Sequence, residues 1–508
     1  MSYQDINPAQ RFLITVAVMA ATLMQVLDTT IVNVALTHMQ GSLGTTSDEI
    51  SWVLTSYLVS SAIFMPLSGY FTDRMGRKKY LLLSIFGFII ASVLCGAAQN
   101  LIQIVMFRLL QGVFGAALVP LSQAILQDSY PPEERGKAMA IWGVGVMVGP
   151  ILGPTLGGYL TDVATWRWTF YINLPVGIAS LILAWAVVPD TLKKDRKMDW
   201  IGLCLISAAI GGTQYFLDRG NQDDWFSAAG IKIAALLAVF GLIGFLIYNM
   251  RPHKNIVFDL AMFKDRNFTI ASLLLASLGL AMYGSMVILP LMMENLLNYP
   301  VLTAGLAMAP RGVSGMIGML LVGKLIKKVD PRYLVTVGIV MSAFGTWVCT
   351  QYSTMVNLWW MVWPQFIQGF GFGLIFVPLT AIAFSTLPSR LQTEASGLFS
   401  LLRTLGSSIG ISIIITIFTR ETQIAWNQMV GAIQPFSDAA NQYLAPLHLT
   451  INTPLGAAIV ANTISAQAQM RAINDDFAFI AWSLVLMLPL LLLLKKSNKP
   501  VATVVIEH

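Results

Sequence analysis

Fourteen runs of about 20 apolar residues recur along the chain, most of them separated by loops of about 4 to 18 residues. A helix of about 20 residues crosses the roughly 30 Å hydrocarbon core of a bilayer. Lipid offers no hydrogen-bond partner to an exposed backbone, so each run is expected to be a helix. Composition leads to the same conclusion. Of 508 residues, 56% are hydrophobic and 11% charged, whereas a soluble domain carries about a quarter charged residues. The chain is therefore read as an all-α membrane protein with 14 spans. Its first run, Phe12 to Leu36, is too long for the apolar region of a cleaved leader and is expected to be the first span.

Charge sets the expected orientation. With the N-terminus inside, most of the 31 Lys and Arg residues fall in cytoplasmic segments, notably Arg74/Arg77/Lys78/Lys79, Lys193/Lys194/Arg196/Lys197 and Lys324/Lys327/Lys328/Arg332. Both termini are then cytoplasmic. The net charge of +6 reports this topology and gives no basis for nucleic-acid binding, which needs a basic soluble face. Cys95, Cys204 and Cys349 fall within apolar runs and read as buried hydrophobes. His38, His253, His448 and His508 are scattered over loops and ends, so no metal site is expected. No phosphate-binding loop is present, which argues against ATP as the energy source.

The chain repeats weakly. Arg108, Gln111 and Gly112, followed by Val119 and Pro120, return as Gln365, Gln368 and Gly369, followed by Val377 and Pro378. Gly69 to Lys79 has a degraded echo at Gly323 to Arg332. Duplicated halves of this kind are frequent in secondary transporters. The expected division is a six-helix bundle at 1–190, two inserted transmembrane helices within 191–255, and a second six-helix bundle at 256–508 that carries a long outer loop, 419–475.

These motifs resemble a known family. Gly69, Asp73, Arg74, Gly76, Arg77 and Lys78 form a segment similar to the loop motif of the major facilitator superfamily. Gly145, Gly149, Pro150, Gly153, Pro154 and Gly157 resemble its antiporter motif. Asp28 and Asn33 in the first run, Trp166 to Gly177, Leu217 to Gly220 and Trp363 to Gly369 resemble the EmrB-like branch of the fourteen-helix drug/proton antiporters. The resemblance implies a major facilitator fold, multidrug efflux driven by the proton gradient without a cofactor, and a bacterial inner-membrane location. It also implies a periplasmic adaptor and an outer-membrane channel as partners. Export of one endogenous metabolite, and a non-transporting sensor on the same fold, stand as rivals.

Charges inside spans are costly and by default functional. Asp28, Arg108 and Arg311 come about 10 to 13 Å inward from the outer ends of their runs, at one level of the membrane. Asp28 is the expected proton-coupling site, with Arg108 as its partner; a permanent structural pair is the alternative. Asp28 also reads as the only acid deep in a span. Arg311 and Arg403 are the further cavity charges, Arg403 either facing a cytoplasmic vestibule or bonding to backbone. The Gly69–Lys78 segment can be a gate or a solvated turn. The glycines at every fourth position from Gly145 to Gly157 line one helix face, for a hinge or for ordinary close packing.

Substrate contacts are expected to be apolar with a few polar groups. The resemblance places Met24, Gln25, Asn33, Gln123, Trp142, Tyr283, Gln365, Phe366 and Gln368 on cavity-lining spans. Loop 419–475 holds polar stretches and an expected amphipathic helix, Ala457 to Arg471, and is either an adaptor-docking element or an unstructured connector.

Overall fold

The computed structural model describes residues 6–131, 134–191, 193, 198–250, 260–326, 328–388, 391–431 and 438–495. Lys194, Arg196, Lys197, Lys327, His253 and His508 lie outside them, as do the side chains of Pro150 and Pro154.

The elements are helices throughout, in this order: α1 (Pro8–Leu43), α2 (Trp52–Phe64 and Ser68–Met75), α3 (Arg77–Ala97), α4 (Leu101–Gly115 and Leu118–Ser129), α5 (Arg135–Val163), α6 (Asn173–Val187), α7 (Trp200–Arg219), α8 (Ala229–Asn249), α9 (Arg266–Leu291), α10 (Val301–Leu325), α11 (Pro331–Cys349), α12 (Leu358–Ser385), α13 (Gln392–Gly431) and α14 (Pro454–Val485). Among the described residues twelve helices are long and apolar enough to cross a membrane, and the two parts of α2, bent by 57°, make a thirteenth. The remaining expected run falls in α5, 29 residues long. Pro66, which cannot donate to the helix ladder, sits at the bend of α2.

Polar residues punctuate the apolar runs where orphan N–H groups need acceptors. Side chains of Asn7, Asn100, Asp199, Asp265, Asp330, Asn357 and Thr453 cap the helices that follow them. Gly76 joins α2 to α3 at φ 84°, a backbone state that a side chain would strain.

Within the first half α1 packs on α5 and α6, α2 on α4, and α3 on α4 and α6; within the second, α10 and α11 pack on α12, and α9 on α13. The halves meet where α5 packs along α10 and α12, and where α13 meets α2 and α4. The pair α7 and α8 is held together by small residues: Gly212 lies on Ala234 and Ala238, and Gly241 on Ala209. α7 reaches both halves. Trp52 and Tyr215 bring their rings to 5.5 Å, Thr55 donates to Asp218, and Gln214 donates to Ser408 of α13 at 2.9 Å.

Two expectations change. Cys204 is exposed on α7, while Cys95 and Cys349 are buried. Segment 419–475 is also helical beyond the expected Ala457–Arg471, since Gln392–Gly431, Asp438–Leu444 and Pro454–Val485 run through its described residues. α13 runs on for 40 residues, about twice what the hydrocarbon requires. It pairs with the early part of α14, and Leu444, Val460 and Ile464 form a small apolar cluster with Met429, Val430 and Leu449. Hydropathy ends where lipid ends, but here the helices continue because they cover one another.

Candidate functional site

The chemistry concentrates in the first half. Asp28, on α1, is fully buried, and so is Arg108 on α4. Arg108 Nη1 donates to Asp28 Oδ2 at 2.6 Å and to Gln111 Oε1 at 2.7 Å, while its Nε donates to the Val53 carbonyl of α2 at 3.0 Å. Gln111 Nε2 and Asn173 Nδ2 each donate to Asp28 Oδ1 at 2.9 Å. Ser92 Oγ of α3 accepts from both amides, at 2.8 and 3.3 Å. The Arg108 guanidinium lies 4.2 Å from the Tyr57 ring centroid, close enough for a cation–π contact. Tyr57 in turn accepts from Gln25 Nε2 at 3.0 Å. One buried carboxylate thus ties α1 to α4 and α6 directly, and through Arg108 to α2. Such a charge is tolerated in low dielectric only because every partner is supplied.

The glycine face of α5 lies against α1 on either side of this carboxylate. A Cβ on Gly149 would meet Val26 Cγ1 at 2.5 Å, and one on Gly157 would meet the Ile31 carbonyl at 2.9 Å. At Gly145 a Cβ would overlap Met19, and at Gly153 it would overlap Thr30. Thr30 Oγ1 also donates to the Gly149 carbonyl at 3.2 Å. All four glycines therefore serve one close approach to the helix that carries Asp28.

The Gly69–Lys78 segment sits where the halves touch. A Cβ on Gly69 would lie 2.6 Å from Glu394 Cγ, in the first turn of α13. Arg77 pairs with Asp128 of α4, and its backbone N–H donates to Thr191 Oγ1 at 2.8 Å. Arg74 donates to Tyr70 at 2.7 Å and is exposed; Asp73 and Lys78 are half-buried. At the same end Ser396 Oγ donates to Gln123 Oε1 at 3.2 Å, and Trp142 stacks on Phe376 with centroids 5.8 Å apart. Gln123 and Trp142 are thus seam residues holding the halves together in this conformation.

A small cavity lies in the seam, walled by Val146 from α5 and by Leu275, Leu278, Met282, Tyr283 and Arg403 from the second half. Of the nine expected substrate contacts, Tyr283 lines it. Gln25 and Asn33 share one face of α1, half-buried and exposed. The others do not line this cavity in this conformation. Met24 packs on Gly177 of α6. Gln368 turns to α11, donating to Thr346 Oγ1 at 2.6 Å, and Gln365 turns to Cys349 Sγ at 3.7 Å. Phe366 is exposed on the face it shares with Trp359, one step round from the buried Gln365. Arg311 does not reach Asp28: it donates to the Met282 carbonyl at 2.9 Å and lies 5.1 Å from the Phe372 ring centroid. A wider apolar groove between α3 and α6, lined by Leu82, Phe86, Ile182 and Trp185, opens on the outer surface away from the seam.

The sequence repeat has a structural counterpart. Gln111 donates to Ser92 in the first half as Gln368 donates to Thr346 in the second. Gln111, Asn173, Ser92 and Tyr57 were not among the expected site residues, although Gln111 and Asn173 stand in the quoted motifs. The spacing of Arg108 and Gln111, three apart, was the available signal that both share a face. Asp28 is also not the only deep acid. Asp476, on α14, is fully buried as well.

A profile of the Major Facilitator Superfamily matches residues 18–411. The multidrug export protein EmrB of Escherichia coli (strain K12) is 36% identical over 478 residues, 93% of each chain. The fatty acid resistance protein FarB of Neisseria gonorrhoeae is 35% identical over 97% of this chain and 98% of its own. The human organic anion transporter MFSD10 superposes with a TM-score of 0.59 at 14% identity, over 94% of this chain and all of that one, a likeness of fold alone.

Proposed function

The chain belongs to the major facilitator superfamily, among its EmrB-like multidrug exporters, and from that premise we propose that it is a proton-coupled antiporter exporting lipophilic small molecules by alternating access. The observation that carries this reading is the Asp28 carboxylate. Each of its oxygens already accepts an N–H bond. Three of its about four lone-pair sites are filled, so a proton arriving on Oδ2 removes the charge that Arg108, Gln111 and Asn173 hold and weakens the ties of α1. α1 is also the helix seated on the glycine face of α5, and α5 packs against α10 and α12 across the seam. Charge at Asp28 is therefore placed to bias how the halves sit.

The seam cavity is closed down in this conformation to about 10 Å³, room for one water, so the substrate class rests on the chemistry of its lining alone. Arg403 is its charged residue and its walls are otherwise mainly apolar, which favours neutral, zwitterionic or weakly acidic lipophiles over dications. The name of the gonococcal relative refers to compounds of that chemistry. In this reading the protein sits in a bacterial inner membrane with both termini cytoplasmic, following the positive loops. The α13–α14 hairpin then extends into the periplasm, where it offers a docking face for an adaptor and an outer-membrane channel.

A pH-indicator measurement on the purified protein tests the coupling. Adding a fluorescent fatty acid to wild type should release protons, and Asp28→Asn should bind the same probe without releasing them. Equal release from both would contradict Asp28 as the carrier.

A further inference from the structure

The second half contains a carboxyl group that the mechanism above does not use. Asp476 is fully buried on α14, and neither of its oxygens receives a hydrogen bond from the described residues. Asp28, equally buried, has three N–H donors. This contrast is the starting point, because an ionised carboxylate without donors or counter-charge is far more costly in an apolar interior than the neutral acid.

The surroundings can be placed from its neighbours. Ile480, one turn further along α14, lies near Gly284 of α9 beside Ile414 of α13, so Asp476 stands at the junction of these three helices, one turn toward the outer hairpin. Its flanking residues Ile473, Phe477 and Ile480 are buried and apolar. Among the described residues the charges that bear on it are those of Asp475 and of Glu421 on α13, both negative. Arg471 turns aside to Gln428, at 3.1 Å. Glu294 lies in the π-helical turn Met292–Leu296 that ends α9 and packs against α14. From beyond α11, Tyr352 presents its ring edge to Phe477, its hydroxyl 3.2 Å from Cys349 Sγ and its carbonyl accepting from Asn474. None of these groups supplies a cation to Asp476. A metal ion would need several oxygen ligands, and among the described residues no group of three His, Cys, Asp or Glu is arranged to hold one.

We propose that Asp476 is a second proton-binding carboxyl, seated at the junction of α9, α13 and α14, which holds its proton while this junction is closed and exchanges it with the outer side when α13 and α14 part. Its part in the transport cycle rests on the proton-coupled reading given above; the binding site itself rests on burial and missing partners. A π-turn at the end of α9 gives the junction an element able to rearrange.

Infrared difference spectroscopy across a pH titration of the full-length protein in lipid nanodiscs tests the site. Wild type should show a protonated-carboxyl stretch that is lost in Asp476→Asn, displaced in Asp476→Glu and retained in Asp28→Asn. Should Asp476→Asn fail to fold, the displacement in Asp476→Glu decides alone. A stretch unchanged by both Asp476 variants would overturn the proposal, and so would a signal that follows sodium concentration instead of pH. In vesicles, the number of protons moved per fluorescent fatty acid exported should fall in Asp476→Asn, and an unchanged ratio would remove the role in the cycle. Wild-type vesicles that export the probe without any proton movement would instead sink the antiport reading and leave the infrared assignment standing.

Discussion

At Asp28 a single carboxylate accepts from Arg108, Gln111 and Asn173, residues of two other helices. Substituting Asp28→Asn keeps an oxygen for the two amide donors but sets an N–H₂ against Arg108. The protein should remain folded in the membrane, weakened by about 1.5 to 3 kcal/mol for one charged hydrogen bond, and should lose proton-driven export while still exchanging substrate down a gradient. Wild-type pH dependence of export in this variant would count against the coupling role. Arg108→Met is the harsher change, since it leaves a buried carboxylate without its counter-charge; a loss of about 3 to 5 kcal/mol is expected, read as a fall in thermal midpoint in detergent. A midpoint like that of wild type would mean that the pair contributes little. Asp28 and Arg108 were legible in the sequence because an ion in an apolar run needs a reason. Gln111 and Asn173 were not, because neutral amides are tolerated in many spans and only the helix packing brings these two to one oxygen. Asp476 was hidden by hydropathy, which begins the last span at that residue and makes it look like a helix end.

Among the elements, α5 depends most on shape. Its four glycines face α1 with no room for a Cβ, whereas Gly41, near the end of α1, has nothing within 4 Å of a Cβ. Gly149→Leu or Gly153→Leu should therefore reduce export by about tenfold or more, the equivalent of at least 1.4 kcal/mol, while Gly41→Leu leaves it unchanged. Equal turnover in all three would remove the case for a packed α1–α5 contact. The four-residue spacing made this face readable from sequence, but which helix it received was not. Apart from its Ala457–Arg471 helix, segment 419–475 reads as loop because polar residues interrupt its runs, whereas α13 and α14 extend through it and pack on each other. Replacing 432–453 with a Gly/Ser connector should spare insertion and vesicle transport, and should lower drug resistance in intact Gram-negative cells. Loss of vesicle transport as well would assign the tip to the transport cycle.

For the whole molecule, the all-helical character and the order of the apolar helices were readable because lipid imposes length, with twelve or thirteen helices of spanning length among the described residues against fourteen expected runs. The seam was not readable, since it depends on which faces of α5, α10, α12 and α13 meet. In the described conformation the halves touch at the end that carries the Gly69–Lys78 segment, through Gly69 and Glu394, Gln123 and Ser396, and Trp142 and Phe376. Arg403 in the seam cavity sets an expected order of binding: a lipophilic anion and a size-matched neutral compound should both outcompete a dication, and Arg403→Gln should narrow that preference. Tightest binding by the dication would contradict the charge argument. The most direct test of the account is transport by the full-length protein in sealed vesicles with an imposed pH gradient. A fluorescent fatty acid should accumulate against its own gradient only while the pH gradient lasts, and Asp28→Asn should abolish that accumulation. Accumulation that persists without the gradient, or that is undiminished in Asp28→Asn, would contradict proton-coupled export through this residue.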